Sequence, residues 1–496
     1  MKNIIFSVYA LLFSLTISAQ IKNTGFEQLG TNDHNLPADW GVMNKKGYLI
    51  NLDSAQKYTG NYSVKVFGTD SLSRDFQGIS QSISFLTDKI KRVGLSVNIR
   101  TEDVKGYVAI WCQIWDSKQN KMVGFENIVS QQPRITGSAD WKKYTLNLTL
   151  GKEVDRLVFG SYLAGSGTAY FDDFSIADHK LSDSPPSDSV KNYIDAFTTV
   201  IKKNSIYRDS LDWLQIDSDI AELSKGMKRI DEAPVLAGYV LGKLRKAGDN
   251  HSFIQPKAVA QAYAKTNTIA AKVSSELIAG NIGYLSIPAF GSTDQKTMDD
   301  FANDIQQRIQ TLETAQKIDG WIVDLRRNGG GNMYPMIAGL GPLTGEGILG
   351  YFVYGTGNHK KYIQWSYQSK KGKNGSMLGV TLNDPYKLKN TSAPVAVLIG
   401  PATGSSGEMT AMSFIGKPGA KLFGQLSSGH TTANQSFPLS DGSMFLLAVS
   451  ATADRNKKEF KGKIHPDELI AMDSSSDKTL SAAQAWINEA ILLKNK

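Results

Sequence analysis

The sequence has 496 residues, of which 41% are hydrophobic and 21% are charged. This balance excludes an intrinsically disordered chain, and the length exceeds one ordinary hydrophobic core, so several domains are predicted. The formal net charge of +8 is spread along the chain rather than gathered into basic runs, which argues against a nucleic-acid-binding protein.

The amino-terminal segment has the pattern of an export signal. Residues 1–19 place one lysine before an apolar run that ends in small residues, with Ala19 as the last residue of the leader. A retained membrane anchor is the alternative, but the run is shorter than the roughly 20 apolar residues that a bilayer requires. We therefore expect an exported protein, periplasmic or extracellular, without a membrane span.

A β-sandwich is predicted for residues 20–178. This segment is dense in short strands of alternating hydrophobicity, separated by turns of Gly, Asn, Asp and Pro. The order of its motifs resembles the galactose-binding-like jelly rolls of carbohydrate-binding modules: NTGFE, LPADWG, GNYSVKVFG, ADWKKYTLNLTL and GTAYFDDFSI. The resemblance implies glycan as a partner of this domain.

Two sets of residues in the sandwich could serve such a module. Four tryptophans could stack on sugar rings, although a strand aromatic is more often a core residue: Trp40, Trp111, Trp115 and Trp141. Glu27 and Asp173 lie where the resembling modules often hold calcium, but we favour solvated surface acids. No metal site is therefore predicted.

Two further regions follow the sandwich. Residues 179–188 are polar and carry a proline pair, which is typical of a linker. From 189 to 250, apolar residues recur at three- and four-residue spacings, so a small helical subdomain is predicted.

Residues 251–496 are predicted to form an α/β core. From about residue 280, apolar strands alternate with helices, as in NIGYLSIPAF followed by TMDDFANDIQQRIQTLET. Fully apolar strands of this kind belong to a sheet that is covered on both faces.

The turn PATGSSGEM lies between the apolar strand PVAVLIG and a helix. Its side chains are therefore placed at the carboxyl edge of the sheet, where open α/β sheets bind ligands. A serine there has a helix amino terminus beside it, whose free N–H groups can stabilise an oxyanion. The alternative is that Ser405 or Ser406 only caps the helix, with Glu408 completing the cap.

A second strand edge carries three glycines, in VDLRRNGGGN. Glycines allow close approach of another backbone and leave amide N–H groups unshielded. Two such edges in one sheet could supply a nucleophile from one turn and an oxyanion donor from the other.

These motifs, together with LFGQLSSGHTTAN, LSDGSMFLL and IHPDE, span residues 280–470. Their order resembles the C-terminal processing, or tail-specific, serine peptidases, including the tricorn-like branch. The resemblance implies a crotonase-like or Clp-protease-like core with a nucleophilic serine three residues before a glutamate, which is Ser405 here. It further implies that the N–H of Ser406 and the glycine pair Gly330 and Gly331 form the oxyanion hole.

Two histidines are candidates for the general base. The stretch GDNHSF matches the Asp-x-His-Ser/Thr pattern of the tricorn-like branch, which makes His251 the favoured base. An imidazole with an ordinary pKa of about 6.5 accepts a serine proton at neutral pH. His430 is the rival, because it stands near the place where the other branch of the family has a catalytic lysine; with no lysine there, a Ser-Lys dyad is not expected.

The group that orients the histidine is left open by the sequence. The tricorn-like branch supports its histidine with a serine and a glutamate, but Asn250 precedes His251 here. Glu459 and Asp454 are the downstream acids, and we take Glu459 as the candidate.

The sequence therefore predicts an exported serine endopeptidase that acts on polypeptides without a metal or organic cofactor. Fewer than 30 residues separate His251 from the strand at 280, too few for the peptide-binding PDZ module that many processing peptidases insert there. Two alternatives stay open: a catalytically inactive protein that binds a peptide or small ligand on the same scaffold, and a glycan-binding protein.

Overall fold

The computed structural model describes residues 21–43, 46–69, 75–84, 89–179, 182–265, 272–279, 281–355, 357–370, 372–374, 379–471, 473 and 475–494. The predicted signal peptide, residues 1–19, lies outside the described residues, as do residues 180 and 181 of the predicted linker. In the part of the chain that is described, no helix is both long and apolar enough to cross a membrane.

The chain divides into two compact units. The first comprises residues up to 195 together with 211–247, and the second comprises 196–210 together with 248–496. The helices, in chain order, are α1 Asp188–Asn204, α2 Trp213–Leu223, α3 Pro234–Lys246, α4 Lys257–Lys265, α5 Gln295–Ala315, α6 Met333–Gly339, α7 Gly341–Thr344, α8 Ser406–Met412 and α9 Lys478–Lys494.

The first unit contains an antiparallel β-structure. Its strands are β1 Gly41–Val42, β2 Tyr48–Asp53, β3 Ser63–Gly68, β4 Phe76–Ser84, β5 Lys91–Asp116, β6 Lys121–Asn127, β7 Ile135–Leu150, β8 Arg156–Ala164 and β9 Gly167–Asp178. The long strand β5 pairs with β7 and β9 along its first half and with β6 and β8 along its second half. Alternate residues of these strands share one apolar core, which agrees with the sandwich-like pattern predicted from the sequence.

Helix α3 packs against β6 and β7 in the first unit. The Thr149 hydroxyl donates to the carbonyl of Val235 over 3.1 Å, and Lys243 forms a 2.7 Å ion pair with Glu153. Residues 211–247 therefore group with the β-structure, which corrects the prediction of a separate helical subdomain at 189–250.

The second unit is built on a six-stranded, mainly parallel sheet of order β11-β12-β13-β18-β19-β23. The strands of this unit are β10 Phe253–Gln255, β11 Ser274–Ile278, β12 Ile282–Ser286, β13 Gly320–Asp324, β14 Gly347–Tyr354, β15 Lys361–Tyr367, β16 Gly372–Asn374, β17 Val380–Leu382, β18 Val395–Ile399, β19 Ala420–Gly424, β20 Ala433–Pro438, β21 Met444–Asp454, β22 Glu459–Phe460 and β23 Glu468–Leu469. Only β11 is antiparallel to its neighbour.

Both faces of this sheet are covered, as predicted. Alternate residues of β13 and β18 face opposite sides, because side chains in a strand have a period of two. Trp321, Val323 and Val397 lie in the core that includes α5, whereas Ile322 and Leu398 lie in the core that includes α9. The strand–helix alternation predicted from residue 280 onward is confirmed.

A second, antiparallel sheet completes the unit. Its central strand, β21, pairs with β10, β14, β20 and β22. The short strand β10 directly follows the GDNHSF turn, so its pairing with β21 fixes the position of that turn.

Candidate active site

The site begins at the carboxyl ends of two adjacent parallel strands. β13 ends at Asp324 and β18 at Ile399, and the two strands pair in register. The glycine turn after β13 and the serine turn after β18 therefore meet at one edge of the sheet. They are joined by a hydrogen bond of 3.0 Å from the N–H of Gly404 to the carbonyl of Asn328.

Ser405 has an unusual backbone at the tip of its turn. Its φ is 51° and its ψ is −120°, a region that residues with a side chain rarely adopt. The carboxylate of Glu408 accepts the N–H of Ser405 over 2.8 Å, so the glutamate half of the predicted helix cap is present. This conformation projects the hydroxyl from the start of helix α8.

The hydroxyl of Ser405 meets the imidazole of His251. The distance from Oγ of Ser405 to Nε2 of His251 is 3.1 Å, which is within hydrogen-bond reach. The two residues are 154 positions apart in the chain. The structure thus brings together the two residues that were predicted as nucleophile and base.

The other ring nitrogen of His251 decides the direction of this bond. Nδ1 lies 2.9 Å from the carbonyl oxygen of Thr432 and 3.0 Å from its hydroxyl. A carbonyl can only accept, so Nδ1 carries the proton and Nε2 offers its lone pair to the hydroxyl of Ser405. The neutral tautomer that a general base requires is therefore selected by a backbone carbonyl.

The pKa of His251 is lowered to about 4. Burial is the main cause, and His430 adds to it, while the bond to Thr432 opposes the shift. An unpaired cation is costly in such a place, so the ring stays neutral throughout the physiological range.

The turn that carries His251 is tied to its surroundings by Asp249. One oxygen of this carboxylate accepts the N–H groups of His251 and Ser252, and the other accepts the Ser252 hydroxyl. The Ser252 hydroxyl in turn accepts the N–H of Ala448 in β21 over 2.9 Å. The Asp and Ser of the GDNHSF motif therefore hold the loop rather than the imidazole ring.

Glu459 does not contact His251, which corrects the prediction that it orients the base. Its carboxylate accepts hydrogen bonds from Lys360 at 2.5 Å and from the Tyr362 hydroxyl at 3.0 Å. These partners lie on and beside β15, in the antiparallel sheet, and they occupy the carboxylate. Thr432 instead contacts Nδ1 of His251, the role that was predicted for Glu459.

His430 stacks on His251 instead of reaching Ser405. The ring centroids are 5.2 Å apart with an interplanar angle of 21°. Nδ1 of His430 is 3.1 Å from the Ser428 hydroxyl, and within the described part of the chain its ring makes no hydrogen bond with Ser405. The geometry favours His251 over His430 as the base.

The amides available to form an oxyanion hole differ in one donor from the prediction. The N–H of Gly330 donates to Oδ1 of Asn328 over 3.1 Å and is therefore occupied. Among the described residues, the N–H groups of Gly331 and Ser406 have no hydrogen-bond partner, so these two amides are the available donors. The Ser406 hydroxyl donates to the Gly331 carbonyl over 2.5 Å and joins the two turns.

Gly330 contributes space rather than a donor. Its φ is 110°, and an added Cβ would lie 2.8 Å from Cβ of Ser405 and 3.1 Å from the nitrogen of Ser406. The backbone of this glycine therefore lines the position beside the nucleophile where a substrate carbonyl would enter.

In the described segments, no three or more His, Cys, Asp or Glu side chains are grouped closely enough to hold a metal ion.

Comparisons with known proteins place this chain in a family. Residues 281–470 match the model of Peptidase family S41. A nisin-resistance protein of Lactococcus lactis subsp. lactis is 31% identical over 307 residues, which cover 62% of this chain and 89% of that protein. The chain belongs to peptidase family S41.

Two further similarities concern this S41 chain. The carboxy-terminal processing protease CtpA of Bacillus subtilis is 26% identical over 230 residues, covering 45% of this chain and 43% of that protein. A lipoprotein structure from Streptococcus agalactiae has a TM-score of 0.48 and 24% identity, and the match covers 63% of this chain and 99% of that one.

Asn328 and Thr432 are site residues of this S41 protein that were not predicted. Asn328 is fully buried, and its side chain donates to the carbonyls of Ile287 and Pro288 while it accepts from Gly330. Both residues lie inside the quoted sequence motifs, which is the only signal that could have found them. Thr432 acts on the ring largely through its carbonyl, and a carbonyl role leaves no trace in residue type.

Substituting Gly330 by alanine is expected to lower kcat/KM of any Ser405-dependent hydrolysis by about 100-fold, the scale of a misplacement near 1 Å at the reacting groups. The added Cβ would collide with the nucleophile's own Cβ and would strain a backbone with positive φ. Gly329→Ala is the matched control, because its added Cβ has Ala402 O at 3.9 Å as its nearest neighbour and the residue is exposed. Equal activities of the two variants would contradict the assignment of Gly330.

Substituting His430 by glutamine is expected to leave hydrolysis at neutral pH within about tenfold of wild type, because a neighbour of the base contributes less than the base itself. The pKa of His251 should rise, since His430 is one of the two causes that lower it. A pH–rate profile measures both effects. A loss of several orders of magnitude in the variant would instead identify His430 as the base.

Proposed function

We propose that this chain is an exported serine endopeptidase that cleaves polypeptides with Ser405 as nucleophile and His251 as general base. The observation that carries the proposal is the 3.1 Å contact between Oγ of Ser405 and Nε2 of His251, with Nδ1 held on the Thr432 carbonyl. Membership of a peptidase family supports peptide-bond hydrolysis as the reaction class.

Acylation follows from this geometry. Oγ of Ser405 attacks the scissile carbonyl carbon while its proton moves to Nε2 of His251. The carbonyl oxygen becomes an oxyanion, which the N–H groups of Ser406 and Gly331 stabilise. The C–N bond then breaks, the proton passes from Nε2 to the leaving amine, and an acyl-enzyme remains.

Deacylation reverses the roles. Water attacks the acyl carbon and gives its proton to Nε2 of His251, and the ester bond to Ser405 breaks as its oxygen regains that proton. The imidazolium forms only transiently, and the low pKa of His251 favours rapid return of the proton. All atoms and charges balance with water as the only co-reactant.

The comparisons suggest two substrate sets for the proposal. Unstructured polypeptides are the first, because a relative is named a carboxy-terminal processing protease. Nisin is the second, because the relative that is 31% identical is named for resistance to it.

The test is covalent labelling combined with fragment analysis. The purified protein is treated with a fluorophosphonate to graded extents and then incubated with an unfolded polypeptide mixture or with nisin. We expect the adduct on Ser405, and we expect the yield of fragments seen by mass spectrometry to fall in proportion to the labelled fraction. A metal chelator should leave the fragments unchanged.

Two results would overturn the proposal. One is an adduct that maps away from Ser405, and the other is full cleavage by completely labelled protein. Tight peptide binding without any fragments would favour the alternative of a binding protein on the same scaffold.

A further inference from the structure

Glu408 collects donors from two different parts of the site. It lies three residues after Ser405 in helix α8, and its side chain is 0% exposed. Oε2 accepts the N–H of Ser405 at 2.8 Å and the N–H of His430 at 2.9 Å. Oε1 accepts the N–H of Gly429 at 2.9 Å and the hydroxyl of Ser427, and the Ser428 hydroxyl lies 3.3 Å from Oε2.

One set of these bonds restrains the nucleophile. The φ of 51° at Ser405 is a strained conformation that persists only where the surroundings hold it. A hydrogen bond to an ionised carboxylate is about twice as strong as a neutral one, so the bond from the Ser405 N–H to Glu408 is suited to this task.

The other set of bonds restrains the loop 427–430, which is followed closely by Thr432, the residue that holds His251. Thr431 continues the loop and donates its hydroxyl to the carbonyl of Gly462 over 2.7 Å. Thr432 follows, and its carbonyl accepts the Nδ1 proton of His251. A single carboxylate is thus connected to the nucleophile through one residue and to the base through a short, bonded loop.

The donors around Glu408 are matched to a carboxylate in particular. Three of the five are backbone N–H groups, which cannot reverse their polarity as a hydroxyl can. They lie on both oxygens, so an amide in the same position would direct its own N–H groups at one of them. A buried carboxylate is tolerated only when its charge is satisfied in this way.

We propose that Glu408 is a positioning residue that sets the distance and alignment between Ser405 and His251 from both sides. The inference rests on the proposed hydrolase function and adds a residue that touches neither the substrate nor the reacting atoms. It acts through Ser405 on one side and through the 427–432 loop on the other.

Glu313 provides a matched comparison within the same unit. It is a buried glutamate of helix α5, 3% exposed, and its carboxylate accepts the Tyr386 hydroxyl at 2.8 Å and the N–H of Lys389 at 3.0 Å. It therefore also ties a helix to a loop, but neither Tyr386 nor Lys389 belongs to the site. A purely structural role for Glu408 predicts that Glu408→Gln and Glu313→Gln behave alike.

The experiment compares full-length Glu408→Gln and Glu313→Gln with wild type at a temperature where all three are folded. We expect Glu408→Gln to lower kcat by about 10- to 100-fold, the scale of a misplacement near 1 Å, with KM unchanged. The rate of fluorophosphonate labelling should fall with kcat. Glu313→Gln should keep both rates, and equal kcat values in the two variants would overturn the proposal.

A histidine titration separates this inference from the hydrolase proposal. If the loop loosens, water reaches His251 and its pKa should rise toward the ordinary value in Glu408→Gln, which NMR of the ring protons detects without any substrate. An unchanged pKa of His251 in that variant overturns the positioning role, whether or not the wild type cleaves peptides. Wild-type protein that cleaves no better than Ser405→Ala overturns the hydrolase proposal.

A second variant covers the case in which Glu408→Gln does not fold. Ser427→Ala keeps the carboxylate and removes the hydroxyl that donates to Glu408 and accepts the N–H of Ile464. We therefore expect a smaller fall in kcat of about 3- to 10-fold, in the range of one neutral hydrogen bond. An unchanged kcat in Ser427→Ala, together with an unchanged labelling rate, would count against the loop half of the proposal.

Discussion

Substituting Ser405 by alanine is expected to lower kcat by about six orders of magnitude, the scale seen when a serine hydrolase loses its nucleophile. No neighbouring group replaces it, because the Ser406 hydroxyl is committed to the Gly331 carbonyl at 2.5 Å. KM should change little, since the substrate contacts are kept. Steady-state kinetics with a peptide identified by the fragment analysis measures the loss.

The control for this variant is Ser436→Ala. Ser436 is exposed on β20 in the same unit, and its side chain takes part in none of the hydrogen bonds described above for the site. We expect wild-type kcat from it. If Ser405→Ala retained a rate within an order of magnitude of this control, Ser405 would not be the nucleophile and the hydrolysis would belong to another group or to a contaminant.

The location of the site was accessible from the sequence, because it depends on the order of apolar strands and on two turn motifs. The sequence pattern predicts β13 and β18 as buried strands, and the carboxyl ends of neighbouring parallel strands lie at the same edge of a sheet. The serine turn and the glycine turn could therefore be assigned to one place, whereas the GDNHSF turn was assigned to it through the family resemblance. The structure adds the 3.1 Å contact between Oγ of Ser405 and Nε2 of His251.

The details that were wrong concern competition between partners, which a motif does not record. Glu459 has a suitable charge, but Lys360 and Tyr362 occupy its carboxylate. Gly330 was predicted to offer its N–H to an oxyanion, but that N–H donates a hydrogen bond to Oδ1 of Asn328. In each case, the choice of partner is set by which side chain packing brings nearest.

The predicted boundary of the helical subdomain, residues 189–250, was wrong for a related reason. A helical pattern identifies α3 but not the surface that the helix covers. Gly242 of this helix lies so close to β6 that an added Cβ would be 2.7 Å from the carbonyl of Val123. This close approach, with the Lys243–Glu153 ion pair, joins α3 to the β-structure of the first unit.

Substituting His251 by alanine is expected to lower kcat by about four orders of magnitude, the upper range for loss of a general base. Wild-type kcat should not change with pH near neutrality and should fall only as the pH drops through about 4. At that pH the imidazole of His251 is protonated and loses the lone pair that accepts the Ser405 proton. This acid limb should be absent from His251→Ala.

The same lowered pKa predicts how stability depends on pH. The folded pKa of His251, about 4, lies below the usual value of 6.5, so the unfolded chain binds the extra proton between these values. Its contribution to the free energy of unfolding is therefore complete above about pH 6.5 and is lost as the pH falls toward 4. Thermal unfolding of wild type and His251→Ala across this pH window measures that contribution. If the fall in wild-type kcat were instead centred near pH 6.5, the base would be a solvated histidine and not the buried ring held by Thr432.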